Sequence, residues 1–97
     1  MKTVFISYNV TLNERIIEIL NKMTIRGFTQ WHNVSGRGSH TGEPHYGTHA
    51  WPAINASILT IVEDHKVAPL LERLKALDEE APMHGVRAFT WGVEEMM

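Results

Sequence analysis

Ala56-Ser57-Ile58-Leu59-Thr60-Ile61-Val62-Glu63 places apolar residues at consecutive positions, Ile58-Leu59 and Ile61-Val62. Successive side chains of a strand point to opposite faces, so a strand exposed on one face alternates in polarity and a strand covered on both does not. The run therefore predicts a strand with apolar side chains on both faces of its sheet. After it, Val67, Leu70, Leu71, Leu74 and Leu77 recur at helical spacing. That helix is expected to start near Lys66, so that Pro69 falls in the first turn, and to end by Pro82. Val86 to Val93 reads as a final strand.

The N-terminal half has the same rhythm. Lys2 to Tyr8 is rich in β-branched and aromatic residues and predicts a strand. Thr11-Leu12-Asn13-Glu14 fits a capping box, in which Thr11 caps an amide and Glu14 reaches back. Behind it Leu12, Ile16, Ile19, Leu20 and Met23 form one apolar stripe, predicting a helix from about Leu12 to Arg26 closed by Gly27. Phe28 to Ser35 predicts the second strand. Residues 36–52 hold four glycines and two prolines in 17 residues, which argues against any regular element there. A loop this long in a 97-residue chain is functional or disordered, and its aromatic and histidine content favours a functional one.

The order is β-α-β-loop-β-α-β in one domain, residues 1–97, with a long insertion over 36–53 between strands two and three. This is the ferredoxin-like α+β plan, a four-stranded antiparallel sheet with two helices on one face. Phe5 and Phe89 stand on the opposite parity from Val4, Ile6 and Ala88. The helix-free face is thus expected to be apolar, and its simplest cover is another subunit.

Apolar residues make up 43% of the chain and the formal net charge is -2. The nine basic residues are scattered, which argues against nucleic-acid binding, since phosphate recognition relies on clustered Lys and Arg. No apolar run approaches membrane-spanning length and nothing reads as a signal peptide, so no membrane insertion and a cytoplasmic location are expected. With no cysteine, a metal site must use His, carboxylate, Met or backbone oxygen.

Further signals are Gly27-Phe28-Thr29, the spaced Val34, Gly36, Gly38 and Gly42, the Asp64-His65-Lys66-Val67 helix opening, and Arg87-Ala88-Phe89 leading to Val93-Glu94-Glu95. In this order and spacing the chain resembles the PII signalling superfamily over nearly its whole length. The resemblance implies a homotrimer with an adenine nucleotide in clefts between subunits. It also implies a long T-loop that regulates a partner protein such as a transporter or enzyme. Carried over by position, Gly27 and Thr29 fall near the base, Gly36, Arg37 and Gly38 at the loop's foot, and Arg87 at a phosphate-contacting lysine. Ser39-His40-Thr41 replaces an Arg-Gln-Lys run, the segment Ala81 to Val86 is short, and the sequence ends at Met97 without a basic tail. Three positive anchors for a triphosphate are therefore expected to be missing, which weakens ATP binding in the usual mode.

Four of the six histidines, His32, His40, His45 and His49, lie in or just before the loop. Imidazole is the commonest metal ligand near neutral pH, so His40, His45 and His49 are candidate zinc or copper ligands. His32, Trp31 and Trp91 read as structural strand residues. Tyr46 and Trp51 are candidate contacts for a regulated partner. The acids, Asp78 among them, read as solvated helix surface, and no nucleophile is paired with a base. A regulatory protein is thus expected rather than an enzyme. The alternatives are a metal-binding CutA-like protein and a small oligomeric ferredoxin-fold enzyme.

Overall fold

The computed structural model describes residues 1–37, 44–45, 54–81 and 84–97. The 56–63 segment forms most of a strand, β5 (Asn55–Val62), that lies between two neighbours. The chain order is β1 (Lys2–Asn9), a short 3-10 turn (Val10–Leu12), α1 (Asn13–Lys22), β2 (Thr29–Val34), β3 (Gly36–Arg37) and β4 (Pro44–His45). Then follow β5, α2 (Asp64–Glu80) and β6 (Val86–Gly92). The main sheet has the order β2-β5-β1-β6, every pair antiparallel, so the ferredoxin-like architecture stands as expected.

One face of the sheet carries both helices. Val4, Ile6 and Tyr8 of β1 and Ala56 and Ile58 of β5 are fully buried there, with Ile16 and Leu20 of α1 and Leu70, Leu74 and Leu77 of α2. The predicted stripe residues Leu12, Ile19 and Met23 join or pack against this core. Burying each such side chain contributes about 1.5–3 kcal/mol, which outweighs the modest helix propensity of the Ile-containing segment.

Several local expectations are corrected. The capping box does not form: Leu12 precedes α1 with no side-chain cap, and Asn9 does the capping one turn earlier. The Asn9 carboxamide oxygen accepts from the Thr11 N–H at 2.9 Å and the Thr11 hydroxyl at 2.7 Å. That turns the chain out of β1 before the helix begins.

Helix α1 ends at Lys22, not Arg26, and Gly27 does not close it. Thr24 takes the left-handed position, at φ 59°. The Ile25 N–H donates to the Leu20 carbonyl at 2.8 Å and the Thr24 N–H to Asn21 at 3.0 Å, a Schellman closure. Ile25 is buried beside Leu20 in the core, and that apolar contact outweighs the lack of a glycine.

Helix α2 starts at Asp64, so Pro69 stands inside it rather than in its first turn. Residues 36–52 do contain regular structure: Gly36 pairs with His45 and Arg37 with Pro44. Gly85, at φ 58°, turns the chain into β6, a conformation glycine adopts without steric cost.

Candidate effector site

The second face of the sheet carries no helix. Strand pairing fixes its rows: Thr29, Leu59, Phe5 and Phe89 in one, Trp31, Ser57, Ser7 and Arg87 in the next, and Ile61, Thr3 and Trp91 in a third. Phe89 is 57% exposed, Trp91 48%, Trp31 44% and Ile61 38%, while Val4 and Ile58 on the opposite parity are fully buried. The consecutive apolar pairs of β5 thus divide as the sequence implied, Ile58 and Val62 into the core and Leu59 and Ile61 onto the open face. Trp31, Trp91 and His32 are exposed rather than packed inside the chain.

The candidate effector residues occupy opposite ends of the strand order. Gly27 precedes β2, and its carbonyl accepts from the Thr60 hydroxyl at 2.6 Å. Its backbone is not left-handed, and a Cβ built on it meets nothing within 4 Å, so nothing in the protomer demands glycine there. Thr29 opens β2 and faces Leu59 across the ladder. Arg87 lies on β6 opposite Ser7. With β2 and β6 at the two sheet edges, Thr29 and Arg87 are three strand spacings apart, roughly 14 Å before any displacement along the strands. One protomer therefore separates them by the full width of its sheet.

Gly36 and Arg37 form β3, whose pairing sets the His45 backbone opposite Gly36 at the foot of the 36–53 segment. Gly38, His40, Tyr46, His49 and Trp51 lie outside the described residues. Among the described residues no group of three or more His, Cys, Asp or Glu side chains is arranged to hold a metal.

Two polar arrangements escaped the sequence reading. Asp78 is not simply helix surface. Its Oδ1 accepts from the Val86 N–H at 2.7 Å, and its Oδ2 lies 3.5 Å from Arg87 Nη1. The same Nη1 donates to the Val86 carbonyl at 2.8 Å. Arg87 therefore sits over a groove between α2 and β6, lined also by Leu71, Leu74 and Lys75. No local motif announces this contact, because it spans a helix end and a turn.

The second arrangement joins β1, α1 and β2. The Tyr8 hydroxyl donates to Asn13 Oδ1 at 2.6 Å, and Gln30 Nε2 donates to the Tyr8 oxygen at 2.8 Å and to Asn13 Oδ1 at 2.6 Å. Burial pushes the Tyr8 hydroxyl pKa upward, against the smaller opposing effect of the Gln30 hydrogen bond. Beyond Gln30, β2 gains an extra residue between Trp31 and Val34, with Asn33 at φ 56°. This bulge re-aims the chain just before β3.

The sequence model of the nitrogen regulatory protein P-II family matches residues 1–97. The chain belongs to the P-II family. Among solved structures it is similar to CPII from Thiomonas intermedia K12 bound to ADP and bicarbonate, at 26% identity and a TM-score of 0.72. The match covers 97% of this chain and 88% of that one. CPII bound to ADP, AMP and bicarbonate is similar at 25% identity and a TM-score of 0.74, with the same coverage, 97% and 88%. A putative PII-like signalling protein from Thermus thermophilus aligns at 26% identity and a TM-score of 0.67, covering 93% of this chain and 83% of its own. No curated protein sequence matches the chain. Among the described residues no helix is long and apolar enough to cross a membrane.

Proposed function

We propose that this P-II family member is a non-enzymatic regulator. It assembles as a homotrimer and binds an adenine nucleotide between the β2 edge of one protomer and the β6 edge of the next. The observation that carries this reading is the separation of Gly27 and Thr29 from Arg87 across the whole sheet. A cyclic contact in which one copy's β2 edge approaches another's β6 edge joins the two halves, since a heterologous contact whose rotation closes forms a ring. The exposed Phe89, Trp91, Trp31 and Ile61 supply the apolar surface that such a ring buries.

The nucleotide is supported by CPII, which is bound to ADP in two of the similar structures. Occupancy is read out through the 36–53 segment, acting as a T-loop toward a regulated protein such as a transporter or enzyme. Effector binding shifts that segment only as far as the effector prefers one of its arrangements. Zinc or copper as effector has no supporting arrangement among the described residues.

Subunit mixing tests the composite site. Thr29→Arg and Arg87→Glu chains are each expected to lose ADP binding as pure assemblies. Refolded together, roughly a quarter of their interfaces pair an intact β2 edge with an intact β6 edge, and binding returns in that proportion. Loss of binding in both pure forms with no recovery on mixing would place the two residues in one subunit's site or in none.

A further inference from the structure

Arg87 is held in a way that its identity alone does not explain. Its Nη1 donates to the Val86 carbonyl at 2.8 Å, and Asp78 Oδ2 stands 3.5 Å from the same nitrogen. Asp78 Oδ1 meanwhile grips the Val86 N–H at 2.7 Å, so carboxylate, backbone and guanidinium form a closed arrangement at the start of β6. Among the described residues Nε and Nη2 make no hydrogen bond, and the Arg87 side chain is 55% exposed. One nitrogen is fixed while the adjacent pair of donors is left open. A guanidinium in that state can present two parallel N–H groups to a phosphate or carboxylate.

We propose that Asp78 is a positioning residue for Arg87, orienting its guanidinium so that the open edge receives the terminal phosphate of a nucleoside diphosphate; this rests on the nucleotide reading above. A carboxylate beside an anion-binding arginine acts in two opposing ways. It competes for the cation, and it removes rotamer freedom that the ligand must otherwise freeze. At 3.5 Å the carboxylate lies beyond a good hydrogen bond, and the Arg87 side chain is exposed, so solvent screens the competing attraction. The ordering persists, because Asp78 holds the Val86 N–H while the carbonyl of the same residue holds Arg87 Nη1. An arginine side chain is rich in rotamer freedom, so holding it in place before the ligand arrives favours binding, and the positioning effect prevails.

The test is calorimetric titration with ADP of the intact assembly and of its variants. Arg87→Gln weakens binding. Asp78→Asn retains an oxygen for the Val86 N–H but removes the charge beside Arg87, and is expected to weaken binding by about threefold to tenfold, within the range of couplings between neighbouring residues. Combined with Arg87→Gln, Asp78→Asn has no further effect, whereas a merely structural role would still register. Arg87→Lys keeps the charge but not the paired donors, and is also expected to bind ADP more weakly. It supplies the second reading if Asp78→Asn lowers the melting temperature. Unchanged or tighter binding by Asp78→Asn, or full affinity in Arg87→Lys, overturns the positioning role while leaving the nucleotide reading in place. Failure of the unsubstituted chain to bind ADP overturns both.

Discussion

Thr24 occupies the left-handed region at φ 59°, where a β-branched side chain is uncommon. The conformation costs roughly 1–2 kcal/mol for an L-residue, and glycine avoids it at a smaller entropic cost. Thr24→Gly is therefore expected to raise stability by about 0.5–1 kcal/mol, read as a higher urea midpoint at unchanged slope. Gly27, three residues on, looked like the helix stop because its type suits one; the stop is instead set by which residue, Ile25, reaches the core. Tyr8 is a second position where type alone misleads. Its ring is buried while its hydroxyl joins Asn13 and Gln30. Tyr8→Phe leaves both partners short of a bond and is expected to cost about 1–3 kcal/mol. Burial raises the folded-state pKa above its ordinary value of 10.0, so the proton is held more tightly in the folded chain. That contribution is fully present below pH 10 and is lost as the pH rises through the folded pKa. The stability gap between the unsubstituted chain and Tyr8→Phe should narrow as the pH rises above 10.0, and a gap independent of pH would refute this ionisation effect.

The elements themselves were largely legible, because apolar spacing reports burial directly. Leu70, Leu74 and Leu77 fell on the buried side of α2 as their spacing required. Element ends were less legible, because they depend on single hydrogen bonds. Thr11 and Glu14 carry a capping pattern, yet Asn9 lies two residues earlier and takes the Thr11 amide. Pro69 was expected near the helix start, but α2 begins at Asp64, where the terminal ammonium of Met1 meets the Asp64 carboxylate at 2.8 Å. Pro69 lacks the N–H that would bond the His65 carbonyl, and it is exposed, so it adds no core packing. Pro69→Ala should stabilise the chain by about 1–3 kcal/mol, measured by thermal or urea unfolding. A loss of stability would mean that the proline's restriction of the unfolded chain dominates.

The site was legible only in part at the scale of the whole molecule. The open apolar face could be read from the parity of Phe5 and Phe89 and from the doubled apolar pairs of β5, since strand register preserves parity. That Thr29 and Arg87 stand on opposite edges could not be read without the strand order, which no single segment encodes. The link between Asp78 and Arg87 was hidden because it spans the end of α2 and the turn into β6. Phe89 is 57% exposed in the protomer, so Phe89→Asp should leave the protomer folded while breaking the proposed assembly, seen as a fall in sedimentation mass with retained circular dichroism.

The most direct test of the account is a calorimetric titration of the purified protein with ADP, with the mass of the assembly determined by sedimentation in the same buffer. A three-chain assembly that binds ADP saturably at one molecule per chain is the expected result. A monomer, or an assembly that gives no saturable binding of ADP, would contradict it.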